Sequence, residues 1–513
     1  MKLSQQALKL PTLKGKVVLP TANAFSLPEK VLQFGTGVLL RGLPDFLINK
    51  ANNEGVFNGR IVIVKSTNGG GDAEVYNEQD GLYTLCIRGI EEKQRVDEIH
   101  ISASVSRVLT AATEWDEIIQ CAENPDMQVI ISNTTEVGIT FTNDNIHATP
   151  PSSFPGKLLA FLYHRFKFFN KDVTKGMVIV PTELVPNNAD KLLSIVIELA
   201  HQNGLETSFI DWLENANHFC NSLVDRIVPG KLSADEQNQL QNELGYEDGL
   251  MIMSEVYALW AIQANDDEVK NILSFADANE SVVIAKDINK FRELKLRLLN
   301  GSHTFTCGLA FLAGFDTVKD AMENADFAQF IQQLMFDEIV PSIISDAITE
   351  AEAINFANKV LDRYRNAFID HHWLSITAQY SSKMHLRNTA VIQQYHQRFA
   401  EVPSLMALGV AAHILFMCGE QGADGKYYGT VNGHKYLITD ANAALYASSW
   451  KDVGATMIVN NILSNNDLWQ TDLNTITGFS QEVNYWLQIL KENGAVAAIK
   501  LAVATNNLVE HEK

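Results

Sequence analysis

The sequence predicts an α/β protein: a first half built on a mainly parallel sheet with helices between its strands, then an all-α second half. Three observations predict it. Short uninterrupted apolar runs recur through the first 180 residues, helical patterns stand between them, and each run ends in polar residues. From about Asp287 the strand signals stop while helical periodicity continues. At 513 residues the chain is too long for one core, and this change of pattern sets domains at 1–284 and 285–513.

The run Val31-Leu-Gln-Phe34 leads into Gly35-Thr36-Gly37 and a helical pattern over 43–52. Strand, glycine turn and helix are the parts of a Rossmann-like nucleotide-binding unit, in which glycines let the backbone approach a pyrophosphate at a helix N-terminus. The third glycine of G-x-G-x-x-G falls two positions late, at Gly42, so an ordinary strand-to-helix turn is the competing reading. Arg60-Ile-Val-Ile-Val64 is the second buried strand. The acidic ribose reader expected after it is missing; Ser66 or Asn68 is placed for a ribose hydroxyl, and Lys65 for the 2′-phosphate of NADP.

Residues 82–88 and 99–108 alternate like half-exposed strands and predict an antiparallel addition to the sheet. Residues 115–122 and 154–169 read as helices. The runs Gln128-Val-Ile-Ile-Ser132 and Met177-Val-Ile-Val180 are further buried strands, ending in Asn133-Thr134-Thr135-Glu136 and in Pro181 to Asn188. Polar ends repeating on one edge of a parallel sheet line a ligand crevice. Asp225 and Arg226 form a mutual salt bridge in the simplest reading, and 253–264 reads as a helix. Beyond 287, helical patterns cover 330–336, 391–400, 404–417 and 482–492.

A net charge of −21 argues against nucleic-acid or membrane-surface binding, and an anionic substrate would need local cations. The five cysteines are scattered without a C-x-x-C pair, as reduced thiols of a cytoplasmic protein are. The first 19 residues lack the apolar stretch of a signal peptide, and no run of 18 apolar residues predicts a membrane span. A monomer or small homo-oligomer is expected. No spacing supports a catalytic metal, since the adjacent His371 and His372 diverge on a helix.

The chemistry concentrates in Lys295-Leu-Arg-Leu-Leu-Asn300-Gly-Ser-His303. At 100° per residue one helix face can carry Lys295, Asn300 and His303. A lysine confined beside low-dielectric walls becomes a proton-transfer group, with Asn300 and His303 holding the substrate oxygen; a solvated lysine on an amphipathic helix is the plainer reading. Lys383 and Arg387, at i and i+4, repel each other unless an anion lies between them, and a carboxylate substrate or a solvated basic face both fit.

These residues carry a resemblance. Gln33-Phe34-Gly35-Thr36-Gly37, Ser132 to Gly138, Asn221 to Pro229 and Lys295-x4-Asn300-x2-His303 stand in the order found in the polyol-specific long-chain dehydrogenases, the mannitol dehydrogenase family. The resemblance implies metal-independent hydride exchange between NAD(H) and a sugar acid, D-tagaturonate plus NADH giving D-altronate in hexuronate breakdown. Fructuronate and mannitol chemistry are the alternatives within the family, and a non-catalytic nucleotide-binding regulator is the alternative outside it. It further implies Lys295 as general acid/base, Asn188 and Asn300 as the pair polarising the carbonyl, and His303 and Asp225 at the substrate. Phe34, Gly35, Thr36, Gly37, Ser66, Thr134, Thr135 and Glu136 are then the cofactor-binding set, with Lys383 and Arg387 inferred for the uronate carboxylate. The chain departs from the family at Ala367, where Asn-Pro is common, and at Ser66, where an acidic residue is.

Overall fold

The computed structural model describes residues 1–66, 72–134 and 138–512. Two compact units divide the chain: residues 1–89 with 95–288, and residues 90–94 with 289–513. In the first, a six-stranded parallel sheet runs in the spatial order Val105–Thr110, Arg60–Lys65, Glu29–Phe34, Val129–Ser132, Val178–Pro181, His218–Phe219. Numbered within this sheet, that is 3-2-1-4-5-6, the Rossmann order, whose reversal point lies between Glu29–Phe34 and Val129–Ser132.

Why these runs are strands is visible in where their side chains go. Leu32, Phe34, Val62, Val64, Ile130 and Ile179 enter the core under helices Phe154–Phe168 and Asn188–Gln202. Val31, Ile61, Ile63, Val129, Ile131, Val178 and Val180 enter the opposite core, against helix Pro44–Asn53. A strand buried on both faces needs apolar residues at every position, which is the uninterrupted pattern of the sequence.

Three expectations are corrected here. Residues 99–108 are two strands, Gln94–Ser102 and Val105–Thr110, and the second joins the main sheet parallel to Arg60–Lys65 rather than as an antiparallel addition. Residues 253–264 are not a helix but the strands Ile252–Glu255 and Leu259–Gln263. Their β-branched and aromatic residues, Ile252, Trp260 and Ile262, are fully buried in sheets with Tyr83–Glu91 and Ser222–Asp225, so tertiary pairing decided an ambiguous apolar run.

The second unit is helical, with helix Ser302–Leu312 at its centre packed on Ser404–Phe416. The approach is close: a Cβ on Gly409 would lie 2.8 Å from the Phe305 carbonyl oxygen. Buried Glu338 caps the second helix, accepting from Leu405 N at 2.8 Å and Met406 N at 2.7 Å; burial pushes its carboxyl to about 8. Against the reading that strand signals end near 287, this unit also holds an antiparallel sheet of Gly419–Gln421, Tyr427–Val431 and His434–Ile438. Its hairpin turns at Asn432 and Gly433, φ 49° and 79°, the left-handed pair that a two-residue turn requires. Among the described residues three segments wind as π-helix: Lys295–Gly301, Leu334–Ile339 and His385–Thr389.

Candidate active site

In the first unit the glycine turn stands at the carboxyl edge of the sheet, at the reversal of strand order. Gly35 has φ +126°, and a Cβ there would meet the Asn133 carbonyl oxygen at 2.8 Å, so both backbone angle and space demand glycine. Gly37 opens helix Val38–Gly42, with Phe34 buried behind the turn and Thr36 between the glycines. Ser66 follows the second strand, its buried Oγ without a partner among the described residues. Thr134 lies on the adjacent strand end; Thr135 and Glu136, like Asn68, fall outside the described residues.

Sequence reasoning missed the residue that orders this edge. Glu183, buried, accepts from Ser132 Oγ at 3.0 Å and from Thr134 N and Oγ1 at 2.9 Å each. Burial raises its carboxyl above the ordinary range while these donors oppose the rise. The available signal was an acid two residues past a buried strand, beside hydroxyl-rich Ser-Asn-Thr.

Asn188 lies in the same unit, and its amide is occupied. Nδ2 lies 3.0 to 3.1 Å from the carbonyl oxygens of Pro181, Glu183 and Ser222, and Oδ1 accepts from Ser222 N and Ala189 N at 3.0 Å. With two hydrogens shared among three carbonyls, the side chain clamps the strand Ser222–Asp225 to the turn and offers no spare donor. Asp225 is buried at the end of that strand. In place of the mutual pair that adjacency suggested, Arg226 donates to the carbonyls of Gly42 and Glu255 at 2.6 to 2.9 Å.

In the second unit Lys295 opens the π-helix Lys295–Gly301, and this changes the geometry argued at 100° per residue. In an i→i+5 repeat residues five apart lie about one turn apart, so Lys295 and Asn300 align more closely than an α-helix allows. Both are half-buried; His303, the second residue of helix Ser302–Leu312, is buried. Its ring stacks on Tyr364 at 4.2 Å and 16°, with His371 and Trp373 edge-on at 5.2 and 5.9 Å.

The structure brings Lys383 and Arg387 to the same place. Arg387 Nη1 donates to Thr304 Oγ1 at 3.0 Å, which donates to the Asn300 carbonyl at 2.7 Å; Lys383 Nζ donates to the Ile376 carbonyl at 2.9 Å. Among the described residues these hydrogen bonds of the two cations go to neutral oxygens. Burial, then Arg387, lowers the Lys383 ammonium, and burial lowers the Arg387 guanidinium. Burial foremost, then His371, Arg363, Arg387 and Lys383, holds His303 well below its ordinary value, so its ring is neutral at neutral pH. Arg297 ties the two π segments together, donating to the Leu386 and Arg387 carbonyls at 3.1 and 2.7 Å. The run Arg363-Tyr364-Arg365-Asn366 just ahead of His371-His372-Trp373 is the sequence signal for Arg363 and Tyr364, but their place beside His303 depends on a helix sixty residues downstream folding back on it.

Among the described residues no helix is long and apolar enough to cross a membrane, and no group of three or more His, Cys, Asp or Glu is placed to hold a metal ion. A sheet of this order with its glycine turn at the reversal point is a dinucleotide framework. Such a framework serves the nucleotide-dependent oxidoreductases. Residues 29–273 match the mannitol dehydrogenase Rossmann domain and residues 287–491 the mannitol dehydrogenase C-terminal domain; the chain belongs to the mannitol dehydrogenase family.

Its relatives include the altronate oxidoreductases of Bacillus subtilis, 35% identical over 92% of this chain and 95% of that one, and of Halalkalibacterium halodurans, 35% over 95% and 96%. Among solved structures, D-sorbitol dehydrogenase in substrate-free form aligns at TM-score 0.74 with 19% identity, over 97% of this chain and 100% of that one. Pseudomonas fluorescens mannitol 2-dehydrogenase, solved with NAD and D-mannitol, aligns at 0.65 with 21% identity, over 98% and 100%. At these identities the two structures speak for the fold.

Proposed function

We propose that this protein is an NAD-dependent, metal-independent secondary-alcohol dehydrogenase interconverting D-tagaturonate and D-altronate. The observation that carries the sugar-acid part is the pair Lys383 and Arg387, two partly desolvated cations bonded, among the described residues, to neutral oxygens beside His303 and Asn300. Side by side, they are costly until an anion joins them, and a uronate carboxylate supplies one. The altronate oxidoreductase relatives support the same substrate class. The five free cysteines fit a reducing cytoplasm.

The first unit fits a dinucleotide: the Gly35 turn leaves no room for a side chain, and Ser66 Oγ is buried without a partner among the described residues. Gly35, Thr36 and Gly37 would hold the pyrophosphate, Ser66 a ribose hydroxyl and Thr134 the nicotinamide end, with Glu183 holding Thr134 in place. The bound nicotinamide supplies or accepts the hydride. In the reductive direction Lys295 Nζ delivers the proton to the carbonyl oxygen, and Asn300 donates a hydrogen bond as negative charge develops there, worth about 3 kcal/mol. Asn188, whose donors are committed, acts by fixing the turn.

The test is NADH and NADPH oxidation with D-tagaturonate, D-fructuronate and D-fructose. Turnover with NADH and D-tagaturonate is expected to dominate, and Lys295→Ala to lower it at least a thousandfold with NADH affinity unchanged. Preference for fructose overturns the sugar-acid assignment, and NADH binding without turnover on any of the three makes the protein a non-catalytic regulator.

A further inference from the structure

His371 lies between helices Glu350–Tyr364 and Trp373–Ile376, and its backbone is pinned on both sides. Its carbonyl accepts from Val318 N at 2.9 Å, Trp373 N donates to the Asp316 carbonyl at 3.0 Å, and His372 bridges to Thr317. The half-buried ring is thereby fixed edge-on to His303, 5.2 Å between centroids and 78° between planes, while Tyr364 covers a face of His303. Among the described residues neither ring nitrogen of His371 has a hydrogen-bond partner, and His303 Nε2 is fully buried without one. A buried polar atom without a partner costs free energy, so this wall is completed by something that brings hydrogen bonds.

We propose that His371 recognises the substrate directly, bonding a hydroxyl of a hydroxy-carboxylate whose carboxylate is held by Lys383 and Arg387. The assignment rests on the sugar-acid reading above and adds a residue to it. Burial first, then the charges of His372, Lys383 and Arg363, keeps the His371 ring below its ordinary value, and His303 faces it uncharged. A neutral imidazole offers one donor and one acceptor, which is what a hydroxyl exchanges, whereas the neighbouring cations offer donors alone. The wall therefore separates its tasks: charge to the cations, hydroxyl register to His371.

The experiment is calorimetric titration of the full chain with D-altronate and with D-mannitol, for wild type, His371→Leu and His371→Asn, with NADH affinity and thermal unfolding alongside. His371→Leu is expected to weaken D-altronate about tenfold. His371→Asn, which keeps a donor and an acceptor, should recover to within about threefold. D-mannitol, with no carboxylate to set the register, should change less than twofold, and NADH affinity and melting should not move. Should the leucine variant melt lower, His371→Phe keeps a ring against His303 and carries the same expectation. D-altronate binding within twofold of wild type in the leucine and phenylalanine variants overturns the proposal, as does failure of wild type to bind D-altronate. If D-altronate binding is lost on substitution but no keto-hexonate consumes NADH, the catalytic reading falls while His371 keeps its role. The reverse pattern separates the two the other way.

Discussion

Beneath the glycine turn the Asp45 carboxyl is completely buried, with Gln33 Nε2 at 3.4 Å from one oxygen and no partner for the other among the described residues. Burial pushes it to about 7, opposed by the Gln33 hydrogen bond and the Arg41 charge; Tyr76 and Tyr83 face it from the helix and strand packed alongside. A carboxyl whose folded value lies above its unfolded one costs stability as pH rises. The cost begins near pH 4, grows through pH 7 and is complete above it. Between pH 5 and pH 8 this amounts to about 2 to 3 kcal/mol. Asp45→Asn removes the ionisation at nearly constant shape. Its stability advantage over wild type in urea unfolding is expected to widen by that amount from pH 5 to pH 8, and an advantage independent of pH would place the carboxyl in a more polar setting. None of this was legible in the sequence: Asp45 reads as an acidic residue in the first turn of a helix, ordinarily a favourable, solvated place.

At the scale of elements, the π segments Lys295–Gly301 and His385–Thr389 pack against each other, and Gly301 lies against Asn388. A Cβ on Gly301 would lie 3.0 Å from Asn388 Oδ1 and 3.4 Å from the Leu296 carbonyl oxygen. Gly301→Ala therefore forces the segments apart and shifts Lys295 and Asn300 with them. The expected outcome is a loss of about 1 to 3 kcal/mol in denaturant unfolding and a fall of about a hundredfold in kcat/KM. Shortening the facing side chain in Gly301→Ala/Asn388→Ala should restore most of the stability; a neutral single substitution would show the contact to be loose. That Lys295, Asn300 and His303 share one helical stretch was legible, but its winding was not, since nothing local distinguishes i→i+5 from i→i+4 hydrogen bonding in Lys-Leu-Arg-Leu-Leu-Asn-Gly. The parallel strands were legible because burial on both faces leaves a continuous apolar run. The hairpin at Asn432-Gly433 carried a plain turn signal, yet its strands are short, exposed on one side and set among helices.

At the scale of the molecule, the proposed function has a chain of net charge −21 bind two anions, a dinucleotide and a sugar acid, each in its own unit. The first unit offers backbone at the sheet edge around Gly35 and Thr134, and the second offers the Lys383 and Arg387 cations, so the two ligands should leave separate footprints. Hydrogen exchange followed by mass spectrometry reads this directly, because a ligand that binds the folded state suppresses local opening where it binds. NADH at a hundredfold excess over its Kd adds about 2.7 kcal/mol against openings that release it. That protection is expected in peptides covering 33–38, 64–66 and 132–134. D-Altronate is expected to protect 295–304 and 363–387, with the first unit unchanged. Protection by D-altronate of the glycine-turn peptides alone would place the sugar acid on the dinucleotide edge. The cations would then be a solvated basic face, since a carboxylate drawn to Lys383 and Arg387 must slow exchange in the π segment that bears Arg387.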